Sequence, residues 1–305
     1  MTNPTFRAAV VRTPDGPDSI EIIDVPVALP GPGQVRVQIT AVTINPVDLA
    51  IANGIFHSMG AIHQPEHTGL GWDFAGTVID TGEGTDLAAG TRVAGMVGGI
   101  DRDFGTYAEQ LVVPATDLAV VPHELELAAA STVPLNGQTA NQIVDLLGDA
   151  PEAANRLLVT GAAGAIGAYV AALARDRGWQ VTGLARAEDE EFVSSLGAGF
   201  TTHAELGWDA VADTATLGEQ AISLVRDSGT YVGVQPNARP ASERGIRTEA
   251  VMAHPDGTRL AELLARTVSG ELPARVHTLM PLDQVADAHK AVAKGGVRGR
   301  YLLTP

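Results

Sequence analysis

Short apolar runs rich in Val, Ile and Thr fill the first 125 or so residues, and glycine and proline break them apart. FRAAVVR, SIEIIDVPV, QVRVQITAVTI, FAGTVIDTG, TRVAGMV and YAEQLVVPA read as strands of an all-β unit. Residues of these types suit a pleated, half-buried surface. PGPG and TGEGTD supply turns between them. At LELAAASTVPLNGQTANQIVDLL the spacing becomes helical and rich in alanine.

From Leu157 onward strands and helices alternate. RLLVTGA, QVTGLAR, WDAVADT and TYVGVQ read as strands, and helices are expected over IGAYVAALARDRG, DEEFVSSLG and LGEQAISLVRDSG. That order predicts a parallel sheet with helices on both faces. The tail adds two helices and a closing strand. LGAGFTTHAELGWDAVADT runs almost directly from strand to strand, so one face of the sheet is short of cover. Either Trp208 fills the gap or a partner subunit does.

A chain of 305 residues, 45% of them hydrophobic, suggests two globular domains. No apolar run is long enough for a membrane span, and no basic-then-apolar leader opens the chain. Cysteine is absent, which removes disulfides, thiolate metal sites and a cysteine nucleophile. The net charge of −16 disfavours nucleic acid, whose binding rests on cationic side chains. The expectation is a cytoplasmic protein with a small-molecule ligand.

GAAGAIG carries the chemistry. A dinucleotide fingerprint G-x-G-x-x-G falls on Ala162, Gly164 and Gly167, with alanine at its first position. Gly164 lets backbone approach a pyrophosphate, and Gly167 lets the next helix lie close. The N–H groups of that helix start, around Ala163, Ala165 and Ile166, face the phosphates. Packing alone would also use such a turn, but here it follows an apolar strand and opens an alanine-rich helix. At the end of the next strand, an NAD enzyme usually has an acidic residue for the ribose hydroxyl. This chain has Arg186, whose guanidinium suits a 2′-phosphate, so NADPH is preferred over NADH. The alternative is a solvated Arg186 paired with Glu188. Asp213 and Gly233 end later strands at the edge where dinucleotides bind, and contribute backbone contacts.

With the β-rich segment ahead of this fingerprint, the chain resembles the zinc-free quinone oxidoreductase (zeta-crystallin-like) branch of the medium-chain dehydrogenase/reductase superfamily. AVTINPVDLAIANG, GWDFAGTVIDTGEG, GTYAEQLVVPA, PLNGQTA, GAAGAIGAYVAALARDRG and PLDQVADAHKAVAKGGVRGRYLLT carry the resemblance in order along the chain. It implies a mixed α/β fold. A GroES-like catalytic domain would span 1–126 and 272–305, and a Rossmann NADP-binding domain 127–271. A cofactor would lie in the cleft between them, and the protein would be a homo-oligomer, dimer or tetramer. The resemblance places Asn45 and Asp48 at the nicotinamide end. Asn45 would orient the nicotinamide ribose or donate its amide to the substrate oxygen, and Asp48 would organise the site. Thr139 becomes a nicotinamide contact or a helix-start residue. Arg298 and Arg300 read as surface residues with a packing role, and His289 as helix packing.

In the zinc-dependent relatives, ligands come from a Cys and a His-Glu pair; here the matching places hold Asn45 and Trp72-Asp73. An indole does not ligate zinc, so no zinc is expected. His57, His63 and His67 are spaced as ordinary loop histidines. Enoyl reductases of the family use a Tyr as proton donor where this chain has Phe56. Water, the neighbouring His57, or a substrate that needs no fixed donor would replace it. The resulting expectation is NADPH-dependent hydride transfer to a quinone or an α,β-unsaturated carbonyl. Alternatives are a zinc-free ketone or alcohol oxidoreductase and a non-catalytic NADPH-binding protein.

Overall fold

A computed structural model describes residues 4–305. The chain forms two compact units. One contains the residues through Leu135 together with His254–Val268 and Ala274–Pro305; the other contains Asn136–Ala253 and Ser269–Pro273.

In the first unit, the runs of Val, Ile and Thr become strands. A seven-stranded sheet follows the path Val276–Pro281, Arg300–Thr304, Gln34–Thr43, Asp73–Thr81, Arg92–Met96 and Leu118–Val120, with Gln110–Pro114 also on Gln34–Thr43. Ile20–Pro26, Thr5–Val11 and Thr68–Gly69 form a three-stranded sheet. Alternate positions of Gln34–Thr43 point inward, so Val35, Val37 and Ile39 join Phe74, Val78, Val93, Tyr107 and Leu303 in one core. The sequence reading lacked the strand Val276–Pro281. It lies parallel to the closing strand, and its residues alternate between half-buried and exposed.

Register sets up the site. Leu302 pairs with Thr43 and the Ile44 N–H donates to Tyr301 O at 3.0 Å, which brings Arg300 level with Asn45. Val42 pairs with Phe74, which brings Asp73 level with Thr43.

The second unit holds a wholly parallel six-stranded sheet. Its order is Gly199–Thr201, Gln180–Leu184, Arg156–Thr160, Trp208–Asp213, Val225–Gly233, Arg247–Ala250. Counted within the sheet this is 3-2-1-4-5-6, the doubly wound arrangement that binds dinucleotides beyond the strand carboxyl ends. The helix expected over LGEQAISLVRDSG is only Glu219–Ser223. Val225, 1% exposed, is drawn into the sheet, and Arg244 takes the carbonyls of Ile222 (3.1 Å) and Val225 (2.8 Å). Trp208, 7% exposed, packs with Leu158, Ile222, Val225 and Ile246, so it fills the thinly covered face locally.

Candidate active site

NPVD forms the first turn of the helix Pro46–Ala52. Asn45 is its N-cap in extended backbone and Pro46 sits where no N–H is needed. The Asp48 carboxylate reaches back to the Asn45 N–H at 2.9 Å, half of a capping box. Its other oxygen accepts the Gly71 N–H at 2.9 Å. Gly71 has φ +92°, a conformation that favours glycine. The Tyr107 hydroxyl also bonds the Asp48 carboxylate, and lies 3.3 Å from His289 Nε2. Tyr107 and His289 are both fully buried.

A second buried carboxylate, Asp73, accepts Asn45 Nδ2 at 2.9 Å and the Leu135 N–H at 3.4 Å. Asn45 Nδ2 also donates to Thr43 O at 3.2 Å, and Asn45 Oδ1 accepts the Arg300 guanidinium. Every polar atom of the Asn45 side chain is therefore engaged within the protein. Of the two roles considered for Asn45, donating its amide to a substrate oxygen does not fit this geometry, because both amide hydrogens are used. Arg300 is not merely a packing residue either, since its guanidinium meets Asn45 and faces Asp73.

Burial dominates the electrostatics. It raises Asp48 to about 6 against the pull of the Asn45 and Gly71 N–H groups, Arg102 and Tyr107. It raises Asp73 to about 7, against Arg300 and helped by the Asp48 charge. Burial also pushes the Tyr107 phenol up, the Arg102 guanidinium down to about 10 and the His289 imidazole down to about 4. Arg102 donates to the carbonyls of Gly71 and Gly99, and its guanidinium carbon lies 4.8 Å from the Trp72 ring centre.

His57 stands outside this network. It occupies the short helix Ile55–Ser58, with Nε2 3.1 Å from Thr68 Oγ1 and a buried Nδ1 that has no hydrogen-bond partner among the described residues. Burial lowers its pKa, against the Asp101 charge. The other loop histidines go separate ways: His63 meets Asp101 at 3.3 Å and His67 packs on Phe104 at 5.1 Å. Among the described residues no three His, Cys, Asp or Glu side chains converge as a metal-ligand set.

The glycine turn lies in the second unit. Gly161, not Ala162, takes the left-handed backbone, with φ +62°. Ala162 is fully buried with its methyl toward Gly183, and Ala163 is 5% exposed. The left-handed position of the turn is thus Gly161, one residue before the Ala162 of the fingerprint, and the Ala162 methyl packs against Gly183. Gly164 is exposed and N-caps the helix Ala165–Asp176. The first intrahelical bond is Ala168 N–H to Gly164 O, so the N–H groups of Ala165, Ile166 and Gly167 have no acceptor within the helix. Gly161 O and Ala162 Cα crowd the place where a Gly167 side chain would stand.

Arg186 follows the strand Gln180–Leu184. Its side chain is 66% exposed and 3.8 Å from an equally exposed Glu188, a loose pair that leaves the guanidinium open to an anion. Asp213 is fully buried, accepting Thr160 Oγ1 (2.6 Å), the Gly218 N–H (2.8 Å) and the Tyr231 hydroxyl (3.0 Å). Only its backbone remains for a ligand. Gly233 leaves room for the Tyr231 hydroxyl, and its carbonyl accepts the Val251 N–H. Thr139 is 5% exposed on the helix Pro134–Leu147, next to Gln138, whose buried amide has no partner among the described residues.

Residues 31–123 match the alcohol dehydrogenase GroES-like domain, and residues 190–303 match the zinc-binding dehydrogenase family. The chain is 26% identical to a 2-haloacrylate reductase of a Burkholderia species, over 98% of each. It is 27% identical to a chloroplastic NADPH-dependent alkenal/one oxidoreductase of Arabidopsis thaliana, over 89% of this chain and 72% of that one. In fold it is similar to the quinone oxidoreductase of Coxiella burnetii, with TM-score 0.87, 22% identity and coverage of 99% and 100%.

Proposed function

Because the chain belongs to the medium-chain dehydrogenase/reductase superfamily, we propose that it is an NADPH-dependent, zinc-independent reductase of quinones or α,β-unsaturated carbonyls. The observation that carries the zinc-free reading is Asn45, whose side chain is bonded at once to Asp73, Thr43 and Arg300. Two of the ligand positions of zinc-dependent relatives are spent on each other, and the third is the indole of Trp72. That donor set does not fit zinc, which takes thiolate, imidazole or free carboxylate. The names of the alkenal/one oxidoreductase and the 2-haloacrylate reductase support activated alkenes as substrates.

The residues of the second unit fit a dinucleotide. The helix start at Gly164–Gly167 would hold the pyrophosphate and Arg186 the 2′-phosphate. Backbone at Asp213 and Gly233, with Thr139, would complete the contacts. When bound, the reduced nicotinamide supplies the hydride. The chain's own part is positioning and the exclusion of water. Asn45 and Asp48 act by fixing the turn NPVD, to which Arg300, Tyr107 and Arg102 are tied. Burial lowers the His57 pKa and so favours its neutral form, which makes water the better proton source; an oxygen that gains charge by conjugation needs only modest donors. The proposal extends to a cytoplasmic homo-oligomer.

The test is loss of reduced-nicotinamide absorbance with a simple enone, a benzoquinone and a ketone, in the presence of a chelator. Turnover of enone to saturated ketone or of quinone to hydroquinone, unchanged by chelator, is expected. Formation of an alcohol from the ketone, or loss of activity on chelation, rejects the reading. NADH run beside NADPH tests the role of Arg186.

A further inference from the structure

Gln138 is 1% exposed, yet neither Oε1 nor Nε2 of its amide has a hydrogen-bond partner among the described residues. A buried donor and a buried acceptor without partners cost free energy, and a natural chain keeps such a pair where something else meets it. The residue stands in the helix Pro134–Leu147, whose apolar stripe is Ala140, Ile143, Val144 and Leu147, all buried. Gln138 lies on the opposite face, in line with Asn141, Gln142 and Asp145. Its burial is therefore not that of a core-facing residue. Further along that face the groups are bonded: Asn141 Nδ2 donates to Asp145 at 2.9 Å, and Asp145 also accepts Arg177 at 2.7 Å.

The direction of the helix places this amide. Its last turn lies at the amino edge of the parallel sheet. There Leu146 O accepts Arg247, the first residue of its strand, at 2.8 Å. Gly148 O, just past the helix, accepts the indole N–H of Trp179, which directly precedes the strand Gln180–Leu184, at 2.9 Å. Gln138 is eight residues before Leu146, about 12 Å along the axis at 1.5 Å per residue. It therefore stands toward the carboxyl ends of the strands, where a dinucleotide binds. Thr139 beside it is a nicotinamide contact in the reading above. Leu135, one turn earlier, gives its N–H to Asp73, the partner of Asn45.

We propose that Gln138 recognises the carboxamide of the nicotinamide ring, an inference that rests on the dinucleotide reading above. A primary carboxamide carries an acceptor oxygen and donor N–H groups, the complement of an amide side chain. Gln138 Nε2 donates to the carboxamide oxygen and Oε1 accepts a carboxamide N–H. The amide is closed to solvent, and rotation about the side-chain torsions, not movement of the helix, brings it to the ring. Two hydrogen bonds in one plane fix the orientation of the ring about the bond to its ribose, and with it the face that meets the substrate.

The whole protein and Gln138→Met are titrated in a calorimeter with three ligands. These are NADP+, its 3-acetylpyridine analogue with a methyl ketone in place of the carboxamide, and 2′-phospho-ADP-ribose, which has no nicotinamide. Methionine keeps the length and flexibility of the side chain and removes the amide. Gln138→Met is expected to weaken NADP+ about ten-fold or more, since two hydrogen bonds are lost, and to leave 2′-phospho-ADP-ribose unchanged. The parent chain binds NADP+ more tightly than the acetylpyridine analogue, and the variant loses that preference. Without ligand the variant melts no lower than the parent, because it buries no unpaired amide. NADP+ bound equally by both proteins overturns the proposal, as does an equal loss for NADP+ and 2′-phospho-ADP-ribose, or a preference over the analogue that the variant keeps. A lower melt means that the amide has a partner inside the protein and also overturns it. Failure of the parent chain to bind 2′-phospho-ADP-ribose removes the dinucleotide reading itself, and the proposal with it.

Discussion

The side-chain amide of Asn45 lies 2.9 Å from the carboxylate of Asp73, 28 residues away, and joins it to Arg300 from the other end of the chain. Asn45 and Asp73 are 1% and 0% exposed, so water cannot replace the lost partners if the bridge is cut. Asn45→Ala is expected to destabilise the folded chain by about 2–4 kcal/mol, since two buried groups lose partners at once. Thermal or urea unfolding measures it. A loss near zero means that the amide is not the link between strand Asp73–Thr81 and the closing strand.

Tyr107 gives a second handle on the same network. Its hydroxyl is one of the donors that favour the ionised form of Asp48. Tyr107→Phe keeps the ring in the core and removes only the hydroxyl, which also meets His289, so Asp48 should hold its proton to higher pH. A cost of about 1–2 kcal/mol in stability is expected. Carboxyl infrared bands or carbon NMR of Asp48 followed against pH read the shift. A shift downward excludes Tyr107 as a donor.

Arg186 should set cofactor preference without touching stability, because its side chain is exposed and its ion pair with Glu188 is loose. Arg186→Ala is expected to weaken NADPH binding about ten-fold or more and leave NADH unchanged, through loss of the charge-assisted contact to the 2′-phosphate. Fluorescence of the bound nicotinamide measures both. Equal losses for the two cofactors remove Arg186 from the 2′-phosphate site.

Local chemistry made part of this legible. β-branched runs became strands and GAAGAIG became a turn and helix start, whereas the helix that NPVD opens, carrying Asp48 behind its N-cap Asn45, was not read. The partners of those residues were not legible, because strand register, not local sequence, brings them in. Arg300 is 255 residues from Asn45 and reaches it through the pairing of Leu302 with Thr43. Tyr107 lies in a run read as a strand and Arg102 in the loop before it, and nothing local says that both meet at Gly71 and Asp48. The left-handed position of the turn was not legible, because Gly161 and Ala162 both fit a small-residue turn and only the backbone angle at Gly161 separates them. The helix over LGEQAISLVRDSG was shortened by burial of Val225 and by Arg244, a tertiary partner that overrode helical spacing.

The buried titrating groups make stability depend on pH in two opposing ways. Asp48 and Asp73 rise from 3.8 to about 6 and about 7 on folding. The folded state therefore binds their protons more tightly than the unfolded chain. Their contribution is fully present below the unfolded value and is lost as pH rises through the folded values. His289 falls from 6.5 to about 4. Its contribution is present above 6.5 and is lost as pH falls toward 4. Between about pH 4 and 6 two carboxyls oppose one imidazole, so the native chain should still lose stability as pH rises, but less steeply than a chain without His289. His289→Gln, which keeps a donor beside the Tyr107 hydroxyl, removes the acid loss and should leave stability falling steadily as pH rises from about 4 to about 7. Asp73→Asn leaves Asp48 alone against His289, whose slopes cancel, and should hold stability nearly level from about pH 4 to about pH 8. Thermal melts of the three proteins across this range are the measurement. Three parallel curves would mean that these groups exchange no protons on folding.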